Sequence, residues 1–188
     1  VALIPYNTTL FTIWDVLLVA VIFLLGLAVY LVRSNDPAAV IFHLASTTLA
    51  AALAGTKTVY ALGAPWVGYT CSALFFLSYS VIPVLFVHFT FVFPSVRWPR
   101  YRAMVVILYA AAAALAGLSA FLYLDAARQH SLELFRFCGL GEMIQNGFIF
   151  LLMLYSVANF VRSSTTAASD SERKKLRWIL WGISLGPA

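Results

Sequence analysis

The sequence predicts an all-α, polytopic membrane protein with five full transmembrane helices, the start of a sixth, and an extracytoplasmic N-terminus. Three observations predict it. Apolar residues make up 63% of the 188 and charged residues only 10%, with a mean hydropathy of +0.93. A soluble domain is about 45–50% apolar and about 25% charged. The apolar residues gather into stretches near the ~20 residues needed to cross ~30 Å of hydrocarbon. The positive charges gather at alternate ends of those stretches, which is the pattern of basic cytoplasmic loops.

Residues 1–11 are too short to span, and Val1, Leu3 and Pro5 read as the end of an extended, extracytoplasmic lead-in from an upstream domain. With no initiating Met and no basic n-region, the chain is expected to be a segment of something longer. Span 1 covers about 12–32. Span 2, about 38–62, carries a small-residue run: Ser46, Thr47, Thr48, Ala50, Ala51, Ala52, Ala54 and Gly55. Span 3, about 66–93, contains Pro83, which is expected to kink it and free a carbonyl. Span 4, about 103–124, has a second small-residue run from Ala110 to Ala114, then Ala116, Gly117, Ser119 and Ala120. Span 5 covers about 143–161. A sixth stretch, 178–188, would reach roughly 16 Å, half a membrane, and holds a GxxxG at Gly182 and Gly186. Lipid gives helices no hydrophobic reason to associate, so these small-residue runs are expected to be packing faces. Short connections make consecutive spans neighbours in an up-and-down bundle.

Nine of the twelve Lys and Arg fall on one side: Arg33, Arg97, Arg100, Arg102, Arg162, Arg173, Lys174, Lys175 and Arg177. The opposite side has the uncharged GAPW turn and a mixed-charge loop from Asp125 to Glu142. The basic side is therefore expected to be cytoplasmic. Trp14, Trp66 and Tyr69 would mark the outer interface, and Trp98, Tyr101, Trp178 and Trp181 the inner one. Arg173, Lys174, Lys175, Arg177, Trp178 and Trp181 then anchor the sixth helix at the headgroups. Anionic lipid attraction there is worth ~1 kcal/mol per basic residue near the surface. Leu132, Leu134, Phe135, Phe137 and Leu140, in the outer loop, suit a short interfacial helix over the bundle mouth.

Polar residues inside spans are costly and so are functional candidates. His43 and His88 are expected at similar depth on consecutive helices, where two imidazoles could ligate a haem, a pigment or a metal, or relay protons. The plainer reading bonds each ring to a carbonyl or hydroxyl nearby. Lys57 would snorkel outward and pair with Asp15 or Glu142; Gln145 and Asn146 add polarity at that level, so the five could line an outward pocket. Cys71 and Cys138 both face the oxidising side, and the topology permits a disulfide between them. No GxxxxGK[ST], HExxH or GxSxG occurs, and no acidic pair lies within a span. No catalytic residue, metal site or cofactor is expected, apart from the haem or pigment alternative. Nucleic-acid binding is not expected, because topology already explains the basic residues.

Three segments carry a resemblance. VLLVAVIFLLGLAVYLVRSNDPAAVIFHLAS, VLFVHFTFVFPSVRWPR and SERKKLRWILWGISLGP resemble the multi-spanning membrane sensor region of bacterial sensor histidine kinases of the competence type, and of related phosphatase- or cyclase-linked receptors. The resemblance implies a module in the bacterial inner membrane, an upstream PDZ-like domain closed by a stretch like VALIPYN, and a signal passed to a cytoplasmic output domain outside the chain. His43, His88 and His130 are in the wrong settings for a phosphoacceptor. Two other functions compete with a sensor: an accessory or scaffold subunit of a larger membrane complex, and a small transporter or haem- or pigment-binding protein. The partners expected are the bilayer with its anionic lipids, and either a second copy in a homodimer or the other subunits of a membrane complex.

Overall fold

A computed structural model describes residues 9–58, 65–94, 98–129 and 132–166, together with 170, 171, 173, 174, 176 and 177. The described residues form five long helices and no strand: α1 (Thr9–Val32), α2 (Pro37–Thr58), α3 (Pro65–Val92), α4 (Trp98–Gln129) and α5 (Leu132–Thr166). All five are long and apolar enough to cross a membrane. The lead-in 1–8, the sixth span from Trp178 with its Gly182 and Gly186, and Lys175 and Trp181 lie outside the described residues.

The chain divides into two compact units, Val1–Tyr79 and Ser80–Ala188, with α3 contributing to each. In the first unit, α1 and α2 form a hairpin whose turn follows from four residues. The Arg33 N–H bonds back to the Val29 and Tyr30 carbonyls at 3.1 and 3.2 Å, closing α1. Asp36 caps α2: its Oδ1 accepts from the Ala38 N–H at 2.9 Å and its carbonyl from the Val40 N–H at 3.1 Å. Pro37 takes the first helical position, where a missing N–H costs nothing. The hairpin is tightest at Gly26. A Cβ there would lie 2.5 Å from Ser46 Cβ and 2.8 Å from Ser46 Oγ, so the two backbones meet only because residue 26 has no side chain. Gly55 plays the same part against α3, with Phe75 Cβ 3.1 Å from where its own Cβ would be. These are the small-residue contacts expected of helices in lipid.

The second unit is built on the last part of α3 with α4 and α5. Its core is Val87, Phe91 and Val105, with Tyr101, Met104, Leu108, Tyr109 and Leu152 against it. Phe91 stacks on Tyr101 with ring centroids 4.3 Å apart and meets Tyr155 edge-on at 6.4 Å, so one ring ties three helices. The small residues of α4 are buried at helical spacing, Ala112, Ala116 and Ser119, as the packing-face reading requires. Helix α3 runs on through Pro83, which is fully buried.

The outer loop expected from Asp125 to Glu142 is mostly helix. α4 continues to Gln129, whose Nε2 donates to Asp125 Oδ1 at 2.8 Å one turn back, and α5 begins at Leu132. No separate interfacial helix forms there, because residues 132–142 are the first turns of α5. Apolarity marks only the part of a helix inside lipid, whereas Ala, Leu, Arg, Gln and Glu keep the backbone helical beyond it. At 32 and 35 residues, α4 and α5 are about 48 and 52 Å long, well over a ~30 Å hydrocarbon layer.

Replacing Gly26 by Ala forces the α1–α2 contact open and is expected to cost about 1–3 kcal/mol, as overpacking does. Denaturant titration in detergent, followed by tryptophan fluorescence, measures this. Adding Ser46→Gly should restore most of the loss, and a double variant no better than the single would show that Gly26 is not the point of closest approach.

Candidate functional site

Two groups of polar side chains stand out, one in each unit. In the first unit Gly26 leaves room for the His43 imidazole between Phe23 and Tyr30, two turns apart on α1. The imidazole stacks on Tyr30 at 5.2 Å and 20° and tilts against Phe23 at 6.1 Å and 55°. Its Nδ1 is buried without a hydrogen-bond partner and would be 3.4 Å from a Cβ at Gly26. One turn along α2, the Thr47 Oγ1 is also buried and unpartnered. Its neighbours differ: Ser46 and Thr48 donate to the carbonyls of Phe42 and Leu44 at 2.9 and 2.7 Å.

Beyond Phe23 the same helix pair opens into a cleft of about 380 Å³, lined by Asp15, Val16, Val19, Ala20, Phe23, Leu53 and Ala54. It exists because the side chains thin out. Below it Gly26 pins the helices together, while Ala20 and Ala54 fill little of the space above. Asp15 is the one charged residue on α1. It is half-buried and takes part in an interaction of its own.

In the second unit Gln145 on α5 is only 1% exposed, and its amide joins three helices. The Nε2 donates to Ser80 Oγ of α3 at 2.6 Å, and Oε1 accepts from Ser119 Oγ of α4 at 3.0 Å. A second polar tie lies nearer the other end, where Asn159 Nδ2 donates to Thr90 Oγ1 at 3.0 Å and Thr90 donates to the Val87 carbonyl at 2.7 Å. His88 lies beside it on α3, its Nδ1 3.2 Å from the Tyr109 hydroxyl. These are the internal partners that polar groups in hydrocarbon require.

The residues expected to share one pocket belong to both units. Asp15 lines the cleft of the first unit, and Lys57 lies in the last turn of α2 with its side chain outside the described residues. In the second unit Gln145 faces inward, whereas Glu142 and Asn146 are exposed on α5. His43 and His88 belong to different units, each with its own aromatic partner. Cys71, half-buried, lies in the first unit, and Cys138, buried, in the second. Among the described residues no group of three His, Cys, Asp or Glu could hold a metal ion. Of the basic cluster, Lys174 and Arg177 are exposed, and Arg173 reaches Asp170 at 3.8 Å, a surface pair of little energetic weight. Sequence reasoning singled out Gln145 but missed Ser80, Thr90, Tyr109 and Asn159, although each is a polar group within an apolar span.

No protein-family model, characterised protein or solved structure matches the chain.

Gln145→Leu should destabilise the protein by about 1 kcal/mol, the usual worth of a hydrogen bond between membrane helices. The loss is limited because Ser80 and Ser119 can turn to carbonyls of their own helices. Gln145→Glu should cost clearly more, since it sets an ionisable group in a fully buried position. Unfolding midpoints of the three proteins in one detergent would give the order; a Gln145→Glu variant as stable as the wild type would mean that the amide site is wet.

Proposed function

We propose that this chain is a membrane-embedded sensor module that passes an extracytoplasmic or intramembrane signal to a cytoplasmic output domain outside these residues. The observation that carries the reading is the Gln145 layer. A transmembrane switch needs an element with two arrangements of similar energy. Ser119 Oγ donates to the Gln145 amide oxygen and Ser80 Oγ accepts from the amide nitrogen, and a serine within a helix has the carbonyl one turn back as an alternative acceptor. Turning the Ser119 hydroxyl to its own helix would release α4 from Gln145 without leaving that hydroxyl unpaired. The small-residue faces of α2 and α4 support the same reading, because they let helices slide or rotate at little steric cost. The basic loops, expected inside, set the N-terminus outside, and the three segments that resemble the membrane region of sensor kinases and linked receptors imply a cytoplasmic output after the sixth span. Kinase or phosphatase chemistry, on this reading, belongs to the output domain.

The test uses the chromosomal gene in its native host. Gln145→Leu at unchanged protein level should shift the transcript profile toward that of either the deletion or a constitutively active state. A profile identical to wild type, with the tagged protein recovered at fixed stoichiometry with other membrane subunits, would overturn the sensor reading in favour of a scaffold.

A further inference from the structure

Helix α3 is held in two different ways along its length. Its leading arm, Pro65–Tyr79, belongs to the first unit, where α2 meets it through Gly55 at Phe75. The Tyr79 ring stacks on Phe75 one turn back, with centroids 5.6 Å apart and planes at 12°, which braces the arm as far as Tyr79. One side of the arm is open: Trp66, Leu74, Leu77 and Tyr79 are exposed. From Ser80 to Val92 no residue of α3 is exposed. There α5 grips the helix at two levels, Gln145 on Ser80 at 2.6 Å and Asn159 on Thr90 at 3.0 Å. The boundary of the two units falls between Tyr79 and Ser80, and the fully buried Pro83 follows within a turn. Proline has no N–H, so the backbone bond from residue 83 to the Tyr79 carbonyl is not made. A helix interrupted in this way bends there more readily than elsewhere.

We propose that α3 is a latched hinge: its arm Pro65–Tyr79 pivots in the turn between Tyr79 and Pro83, and Gln145 latches the pivot through Ser80. Because α2 meets the arm at Phe75, a displacement of the α1–α2 hairpin reaches α3 ahead of the pivot. The bond from Asn159 to Thr90 holds the far end of the enclosed segment, so the bend is confined to the turn that lacks its backbone bond. Hinges are a few residues that absorb the whole backbone change. Ser80 lies within that turn, so a swing of the arm pulls on its bond to the Gln145 amide. The layer that joins α3, α4 and α5 thereby registers the movement. The hinge deepens the sensor reading by naming the moving part. It rests on that reading for the use of the motion, not for the motion itself.

Electron-spin distance measurements on the protein in nanodiscs test it. Labels at the exposed positions Leu74 and Arg102 report the arm against the second unit, and a pair at Arg102 and Val161 is the control within that unit. Labels carried by genetically encoded amino acids leave Cys71 and Cys138 in place. The Leu74–Arg102 pair should show a spread of distances in the wild type. That spread should collapse to one narrow peak in Pro83→Ala, which supplies the missing N–H; Pro83→Val serves if that variant does not fold. Gln145→Leu should widen the spread, and the control pair should keep its distance in every variant. An equal spread in wild type and Pro83→Ala, no widening in Gln145→Leu, or a matching change in the control pair would overturn the proposal. If Pro83→Ala leaves the spread unchanged while Gln145→Leu still alters transcription, the sensor reading stands and the hinge falls. Collapse in Pro83→Ala and widening in Gln145→Leu, with transcription unmoved, reverse that outcome.

Discussion

A polar group inside a bilayer has to find its partner within the protein, and most of this fold follows from that constraint. Backbone groups meet it by forming five helices. Hydroxyl side chains meet it by returning to their own helix, as Ser46, Thr48, Ser72 and Ser156 do through the carbonyl four residues earlier. Gln145 and Asn159 are too long and too rich in donors for that solution. They reach across to neighbouring helices, and in doing so fix which faces of α3, α4 and α5 meet. Apolar packing then fills in between the two polar levels, around Phe91, Val87 and Val105.

The two units meet the constraint differently. The second relies on amide bridges and stacked aromatic rings. The first relies on closeness: Gly26 and Gly55 remove side chains so that backbone can approach backbone, and the imidazole of His43 is held by rings rather than by hydrogen bonds. His43 Nδ1 and Thr47 Oγ1, both buried and unpartnered, show that the solution is incomplete there. A hairpin with unmet hydrogen-bonding capacity and an open cleft has more freedom to rearrange than a core closed by three-helix polar ties.

The five full spans were legible in composition and hydropathy alone, because each is set by a local property of about 20 residues. The ends of α4 and α5 were less so, since residues 125–129 and 132–142 are helical for reasons of propensity rather than apolarity. The small-residue runs marked buried faces only in part: Ser46, Ala112 and Ser119 are buried, whereas Ala113, Ala114 and Gly117 are exposed. Which polar residues meet was not legible. Gln145 and Asp15 look like members of one outer layer when ordered by depth, yet one faces inward on α5 and the other lines a cleft on α1. Depth follows from counting along a helix, but facing depends on the rotation of that helix against its neighbours. Ser80 and Ser119 could be matched to Gln145 only once that rotation was known.

The lopsidedness of α1 bears on how the protein is made. Nearly all of its side chains, from Ile13 and Trp14 to Leu31 and Val32, present apolar surface outward, so it can leave the insertion machinery and rest in lipid with no other helix present. α2 is less able to do so, because it carries Ser46, Thr47, Thr48, Thr56 and Lys57. Its release is eased by a partner, and α1, synthesised before it and joined by a turn of a few residues, is the partner at hand. The groove at Gly26 is thus waiting in the bilayer when Ser46 emerges, and this contact can form during synthesis, before α3 to α5 exist.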